Sequence, residues 1–421
     1  MAKVTISCLL VSLSCVTVLF MWYITTAYDL KIARDSRKLY DSNNVYKMYG
    51  GDNILVHQPE ADVAVEKAMP QRLSRIRAVC KSKIGKHYIS KYKTHTKTFF
   101  YSKKLRFACC KAPKTGSTLW GAVFTALESP LDVDAIFQLS RIELHYGTYE
   151  YGAGLIAMRM KKQGAPPLLT AMVARNPYTR LFSTYIDKIF LLGALNRMFG
   201  MKLKTGFAMI DYQRCGYQVS FVEFLNRLVE LGMKHGQFDD HWSPIYRICD
   251  PCSFQYHVVS KQETLTRDAD FTLDKIQMET DRKNSIKKIL HSDGLYANTI
   301  FSLISSLLAE YRMYSIDCPD RFAFLKKIWK SLQMQGHVHE QSSFPLGAFK
   351  NITDLKDPEM VTSVIMQNLD INPVSEEQRV LQRRNVLVNA YRTVSPDVLN
   401  DIKDVYKLDF LMFGYSENPP S

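Results

Sequence analysis

The chain has 421 residues, 46% of them hydrophobic and 23% charged, which excludes collagen-like, disordered and multi-span membrane classes. Lysine and arginine number 55 against 41 aspartates and glutamates, a net charge of +14. That surplus favours polyanionic partners such as nucleic acid, anionic lipid, acidic polysaccharide or a phosphorylated cosubstrate. Charge alone does not choose among them, and a basic surface kept soluble by its charge is the plain alternative.

Residues 1–3 form a short tail, and from Val4 to Tyr28 no residue is charged. The stretch 4–24 matches the ~20 apolar residues that cross a hydrocarbon slab, with Trp22 and Tyr23 at the interface end. It reads as a signal-anchor transmembrane helix. A cleavable signal peptide competes, since Thr25-Thr26-Ala27 resembles a cleavage site, but such h-regions run only ~7–15 residues. Both readings send the chain into the secretory pathway. Residues 25–98 are polar and poorly periodic, helical only around Ala61–Ala78, and read as a luminal stem.

Outside the span lie Cys80, Cys109, Cys110, Cys215, Cys249, Cys252 and Cys318. Cys249-Asp-Pro-Cys252 has redox or zinc spacing, but no second pair follows, so structural disulfides are expected and no metal. His337 and His339 lack an evident third ligand. Asn351-Ile-Thr is a glycosylation sequon.

From residue 99 to 416, short apolar strands alternate with helical segments, predicting an α/β domain with a mostly parallel sheet flanked by helices. Leu303–Leu308 and Phe322–Leu332 read as packing helices. Two strand–loop–helix units carry chemistry. In the first, the run Leu105–Lys111 leads into Pro113-Lys114-Thr115-Gly116-Ser117-Thr118, and a helix follows. A glycine loop opening a helix offers backbone N–H groups and the positive dipole end to an anion. Lys114 adds charge, and the hydroxyls of Thr115, Ser117 and Thr118 can donate to phosphate. The lysine precedes the glycine, so this is not a Walker A motif. An ordinary capped helix start would look similar. In the second unit, the strand Leu168–Ala174 ends in Arg175-Asn176-Pro177, and Arg175 and Ser183 can converge on a second phosphate. Two anion sites fit a nucleotide phosphorylated at both ribose ends.

These units resemble those of the Golgi carbohydrate sulfotransferases. The segment His241-Trp-Ser-Pro-Ile-Tyr-Arg-Ile-Cys-Asp-Pro-Cys252 is similar to a block of the chondroitin/dermatan and HNK-1 group. So are Val258–Leu265 with Asp268-Ala269, and Tyr406–Tyr415. The donor loop itself is closer to heparan sulfotransferases, and Asn176 stands where an acidic residue is usual. The resemblance covers roughly residues 100–280 and the last dozen. It implies a P-loop-like sulfotransferase fold and 3′-phosphoadenylyl sulfate as donor. It also implies a glycan acceptor rather than nucleic acid, and a single-pass Golgi membrane protein with a luminal catalytic domain.

Lys114 would then neutralise the leaving phosphate. A base must take the acceptor proton. Read as a strand, Ser140–Gly147 puts Glu143 and His145 on one side, and His145 is favoured by its ordinary pKa of ~6.5. His241 is the further candidate. A luminal kinase and a non-enzymatic heparin-binding protein are the alternatives. The first needs metal-holding carboxylates near the loops, and the second leaves two phosphate loops unexplained.

Overall fold

The computed structural model describes residues 64–421 apart from 93, 95–97, 146–148, 163–165, 192–218, 235, 237, 293, 315–319 and 353–356. The span expected at 4–24 lies outside the described residues. Among those described, no helix is long and apolar enough to cross a membrane.

Five strands form one sheet: β1 (Thr98–Ser102), β2 (Phe107–Cys110), β3 (Glu150–Gly152), β4 (Leu169–Ala174) and β5 (Val258–Lys261), in the order β3-β1-β2-β4-β5. β2, β4 and β5 run parallel, while β1 is antiparallel to both β2 and β3. The sheet is therefore mixed rather than mostly parallel. The short turn Lys103–Arg106 accounts for this, because a tight connection joins only antiparallel neighbours. β2 and β4 are the two strands read from the sequence. Since β2, β4 and β5 are parallel, the loops that follow them emerge at one edge of the sheet, where open α/β sheets bind ligands.

The sheet's faces are filled by Phe99, Phe107, Trp120, Phe124, Met172 and Val258 among others. A second core is helical, and Leu303, Ile304, Leu307, Leu325, Ile328, Trp329 and Leu332 lie in it. The two packing segments expected from the sequence serve as such.

From residue 64 onward the expected stem belongs to the folded body. The helix Val65–Lys81 buries Arg72, which donates to Asp268 Oδ2 at 2.6 Å and to the Val259 carbonyl at 2.9 Å. Its apolar contribution is small, chiefly Ala68, Met69 and Ile76. An ion pair anchors this helix, and hydrophobic periodicity does not record ion pairs.

Cys80 pairs with Cys252, and Cys110 with Cys249. The C-x-x-C thus gives one sulfur to each of two bridges, tying the end of β2 to the helix Ile245–Cys249 and the helix Val65–Lys81 to the turn just after it. Cys109 is a buried free thiol. Cys215 and Cys318 lie outside the described residues.

Two segments singled out in the sequence meet here. Asp409 accepts the N–H groups of Ile245 (2.7 Å) and Tyr246 (2.9 Å), and the Tyr406 hydroxyl donates to the Trp242 carbonyl. The C-terminal block is the support of the His241–Cys252 segment.

Candidate active site

The loop after β2 is held from within. The buried Thr115 hydroxyl donates to the Ala112 carbonyl at 2.8 Å. It closes the turn, so the expectation that it donates to phosphate is corrected. Lys114 and Gly116 both have positive φ, 67° and 87°. The left-handed geometry favours glycine at 116, and a Cβ there would also lie 2.6 Å from the Leu265 Cδ2 methyl, which would have to move aside. The helix Ser117–Glu128 makes its first bond from Trp120 N–H to the Gly116 carbonyl (3.1 Å), and no side chain caps it. The N–H groups of Ser117, Thr118 and Leu119 therefore have no partner within the helix, at its positive end and beside Lys114.

The second unit is joined to this loop. Asn176 caps the helix Pro177–Thr184, its side chain accepting from the N–H groups of Tyr178 and Thr179. A neutral amide oxygen suffices for that cap. Arg175 Nη1 donates to the Lys114 carbonyl at 2.7 Å, and its Nε to Thr179 Oγ1 at 3.3 Å. Ser183 is half-buried one turn beyond Thr179 on the same face. Burial pulls the Arg175 guanidinium down to about 10, opposed by the Glu263 carboxylate. It remains a cation at neutral pH.

At the other end of the same helix a charge cluster forms that the motifs do not announce. Lys114 Nζ lies 2.8 Å from Asp187 Oδ2, Arg141 donates to both Asp187 oxygens (2.9 and 3.2 Å), and Lys188 Nζ is 3.8 Å away. Asp187 belongs to a π-helical segment, Tyr185–Leu191, a distortion that often marks functional positions. Burial lowers Lys114 to about 8 against the pull of Asp187, and Arg141 and Lys188 lower it further. Burial works to raise Asp187, yet Lys114, Arg141 and Lys188 together hold it well below the ordinary carboxylate range.

The candidate bases separate. Arg141–His145 is a helix and not a strand. At about 100° per residue, Glu143 and His145 point roughly 200° apart rather than to one side. Glu143 is exposed and takes part in a reciprocal cap, accepting from Ser140 N–H at 2.7 Å. His145 reaches Thr118 Oγ1 with Nε2 at 3.3 Å. Burial, and then Lys111, Arg141, Lys188 and Lys114, push its pKa down to about 3. His241 is fixed through Nδ1 to Asp239 at 2.6 Å.

A buried helix face positions His241 with respect to the loop. Arg180 donates to the carbonyls of Pro113 (3.0 Å), Ser243 (2.5 Å) and Asp240 (2.9 Å). Thr184, one turn on, donates to the His241 carbonyl at 2.8 Å. Asp187 follows at the next turn. This spacing of buried polar residues is the signal from which Arg180, Thr184 and Asp187 could have been read. Arg141 carried none. The Asn351 side chain is exposed, and Thr353 of its sequon lies outside the described residues.

The profile of the Sulfotransferase family matches residues 97–330, more than half of the chain and all of the site above. The chain belongs to the sulfotransferase family. Carbohydrate sulfotransferase 14 of Danio rerio is 26% identical over 226 residues, covering 51% of this chain and 59% of the relative. Carbohydrate sulfotransferase 8 of Mus musculus is 28% identical over 188 residues, covering 42% and 43%. Carbohydrate sulfotransferase 11 of Danio rerio is 28% identical over 223 residues, covering 49% and 62%. The chain thus spans about half the length of the curated relatives it matches. No solved structure matches.

Proposed function

We propose that the protein transfers a sulfuryl group from 3′-phosphoadenylyl sulfate to a hydroxyl of a glycan chain. The observation that carries this is the bond from Arg175 to the Lys114 carbonyl, which makes two cation-bearing loops one rigid pair at the sheet edge. The donor supplies an activated sulfuryl group, whose sulfur gains a bond to the acceptor oxygen as its bond to the bridging phosphate oxygen breaks. Lys114 and the N–H groups of Ser117 and Thr118 stabilise the electron pair left on that phosphate. Arg175 and Ser183 hold the 3′-phosphate. Pro113 and Gly116 shape the loop between them.

His145 stays a candidate for taking the acceptor's proton because it touches the donor-loop helix through Thr118. The burial and cations that keep it neutral also make it a weak base, so the ordinary pKa that favoured it from sequence does not hold. His241, with Asp239 orienting its ring, is the other candidate. Glu143 is less suited, being exposed and engaged as a cap. A glycan acceptor is favoured by the family, by the names of the relatives and by the net charge of +14. A Golgi membrane location, anchored through residues 4–24 with the catalytic domain luminal, rests on the uncharged N-terminal stretch and the two disulfides. The test is incubation of the full chain with sulfur-labelled donor and a panel of glycosaminoglycans. Label should enter at least one polysaccharide, and its absence from every acceptor would contradict the reading.

A further inference from the structure

Asp187 is absent from every motif that points to the reaction, yet it is the anion on which the site's cations converge. Three elements meet at its carboxylate: the donor loop through Lys114, the helix Arg141–His145 through Arg141, and its own π-helical turn through Lys188. The carboxylate is only 7% exposed. A buried cluster of like charges would otherwise repel itself. A carboxylate with three cations around it is a poor base, so proton abstraction is not its task.

We propose that Asp187 is the positioning residue of the donor site, a fixed counter-anion that holds the Lys114 ammonium charged and aimed before the donor arrives. This rests on the reading of Lys114 as the group that meets the donor's phosphosulfate. Lys114 has left-handed backbone geometry, and its ammonium is tied to Asp187 at 2.8 Å. Burial and the neighbouring Arg141 and Lys188 favour the neutral amine, whereas Asp187 favours the ammonium. The charged groups facing this ammonium are Arg141 from the preceding helix, and Asp187 and Lys188 from the π turn. His145 and Lys111 stand at the edge of the same field.

Asp187→Asn keeps the side-chain volume and removes the charge. Lys114 should then lose protons at lower pH, so its reactivity toward an amine-acylating reagent at pH 7, read by mass spectrometry, should rise several-fold. The ceiling is about tenfold, because an amine of pKa about 8 is already roughly one-tenth neutral at that pH. The basic limb of the kcat profile should move to lower pH, and kcat should fall more than the donor's KM rises. Asp187→Glu should restore part of the rate, which general destabilisation would not allow. Arg141→Gln supplies an independent arm of opposite sign: removing a competing cation should make Lys114 less reactive. It also serves if Asp187→Asn does not fold. Unchanged Lys114 reactivity in the folded variants overturns the proposal. Binding of adenosine 3′,5′-bisphosphate to the wild type is measured alongside. Its absence would overturn the donor-site reading, whereas binding with unmoved Lys114 reactivity overturns only the role of Asp187.

Discussion

The Arg175 guanidinium donates to the main-chain carbonyl of Lys114 across 2.7 Å, so a residue of the second anion loop holds the backbone of the first. On the proposed reading Arg175 has two tasks, to face the 3′-phosphate and to fix the residue that meets the reacting group. A lysine keeps the charge but loses the fork that makes both contacts.

Arg175→Lys should consequently raise the donor's KM and lower kcat as well. Hydrogen bonds to charged groups are worth about 1.5–3 kcal/mol, or roughly 10–100-fold in affinity. Steady-state kinetics with varied donor checks this. A change in KM alone would mean that the contact to Lys114 carries no weight.

Gly116→Ala should destabilise the protein by about 1–3 kcal/mol, because it forces a side chain into left-handed geometry and against Leu265. Thermal unfolding reads the loss. Leu265→Ala in the same chain should recover only part of it, since the extra space does not relieve the backbone.

The pH dependence of His145 has a definite sign. Its folded pKa of about 3 lies below the ordinary ~6.5, so stability from keeping it neutral is present above pH ~6.5 and is lost as pH falls toward 3. In kcat/KM, which reports the free enzyme, no histidine limb from His145 should appear near pH 6.5. His145→Ala should lower kcat by roughly 10²–10⁴-fold if it is the base. A retained rate in His145→Ala with a dead His241→Ala would move the role to His241.

How much of this was legible follows from what each feature leaves in a sequence. The donor loop was readable because glycine, hydroxyls and lysine sit between an apolar run and a helical period. Asn176 was read only as part of a turn, although Pro177 behind it was the available sign that it caps the next helix. The helix Arg141–His145 was misread as a strand because one and a half turns are too short to show a period. The 180/184/187 spacing could have placed Asp187 on a buried polar face, but its role was not legible because its partners Lys114 and Arg141 are 73 and 46 residues away. Arg72 escaped for the same reason, and with it the continuation of the folded body to residue 64.

Asp409 supports the His241–Cys252 segment from the C-terminus. Burial raises its carboxyl to about 6 against the bonds from Tyr246 and Ile245, which favour ionisation. Because the folded pKa exceeds the ordinary ~3.9, this contribution to stability is complete below pH ~4 and is lost as pH rises through 6. Asp409→Ala should remove that slope and cost about 2–4 kcal/mol by leaving two buried N–H groups unpaired. Chemical denaturation at pH 4.5 and pH 7 checks both statements.

The central claim, sulfuryl transfer from a donor seated on Lys114, is tested most directly by single-turnover transfer from labelled 3′-phosphoadenylyl sulfate. Wild type and a folded Lys114→Ala variant are compared at saturating donor. The wild type should transfer label to the acceptor, and the variant should be slower by about 10²–10³-fold. Equal rates in the two proteins, or no transfer by the wild type, would contradict the account.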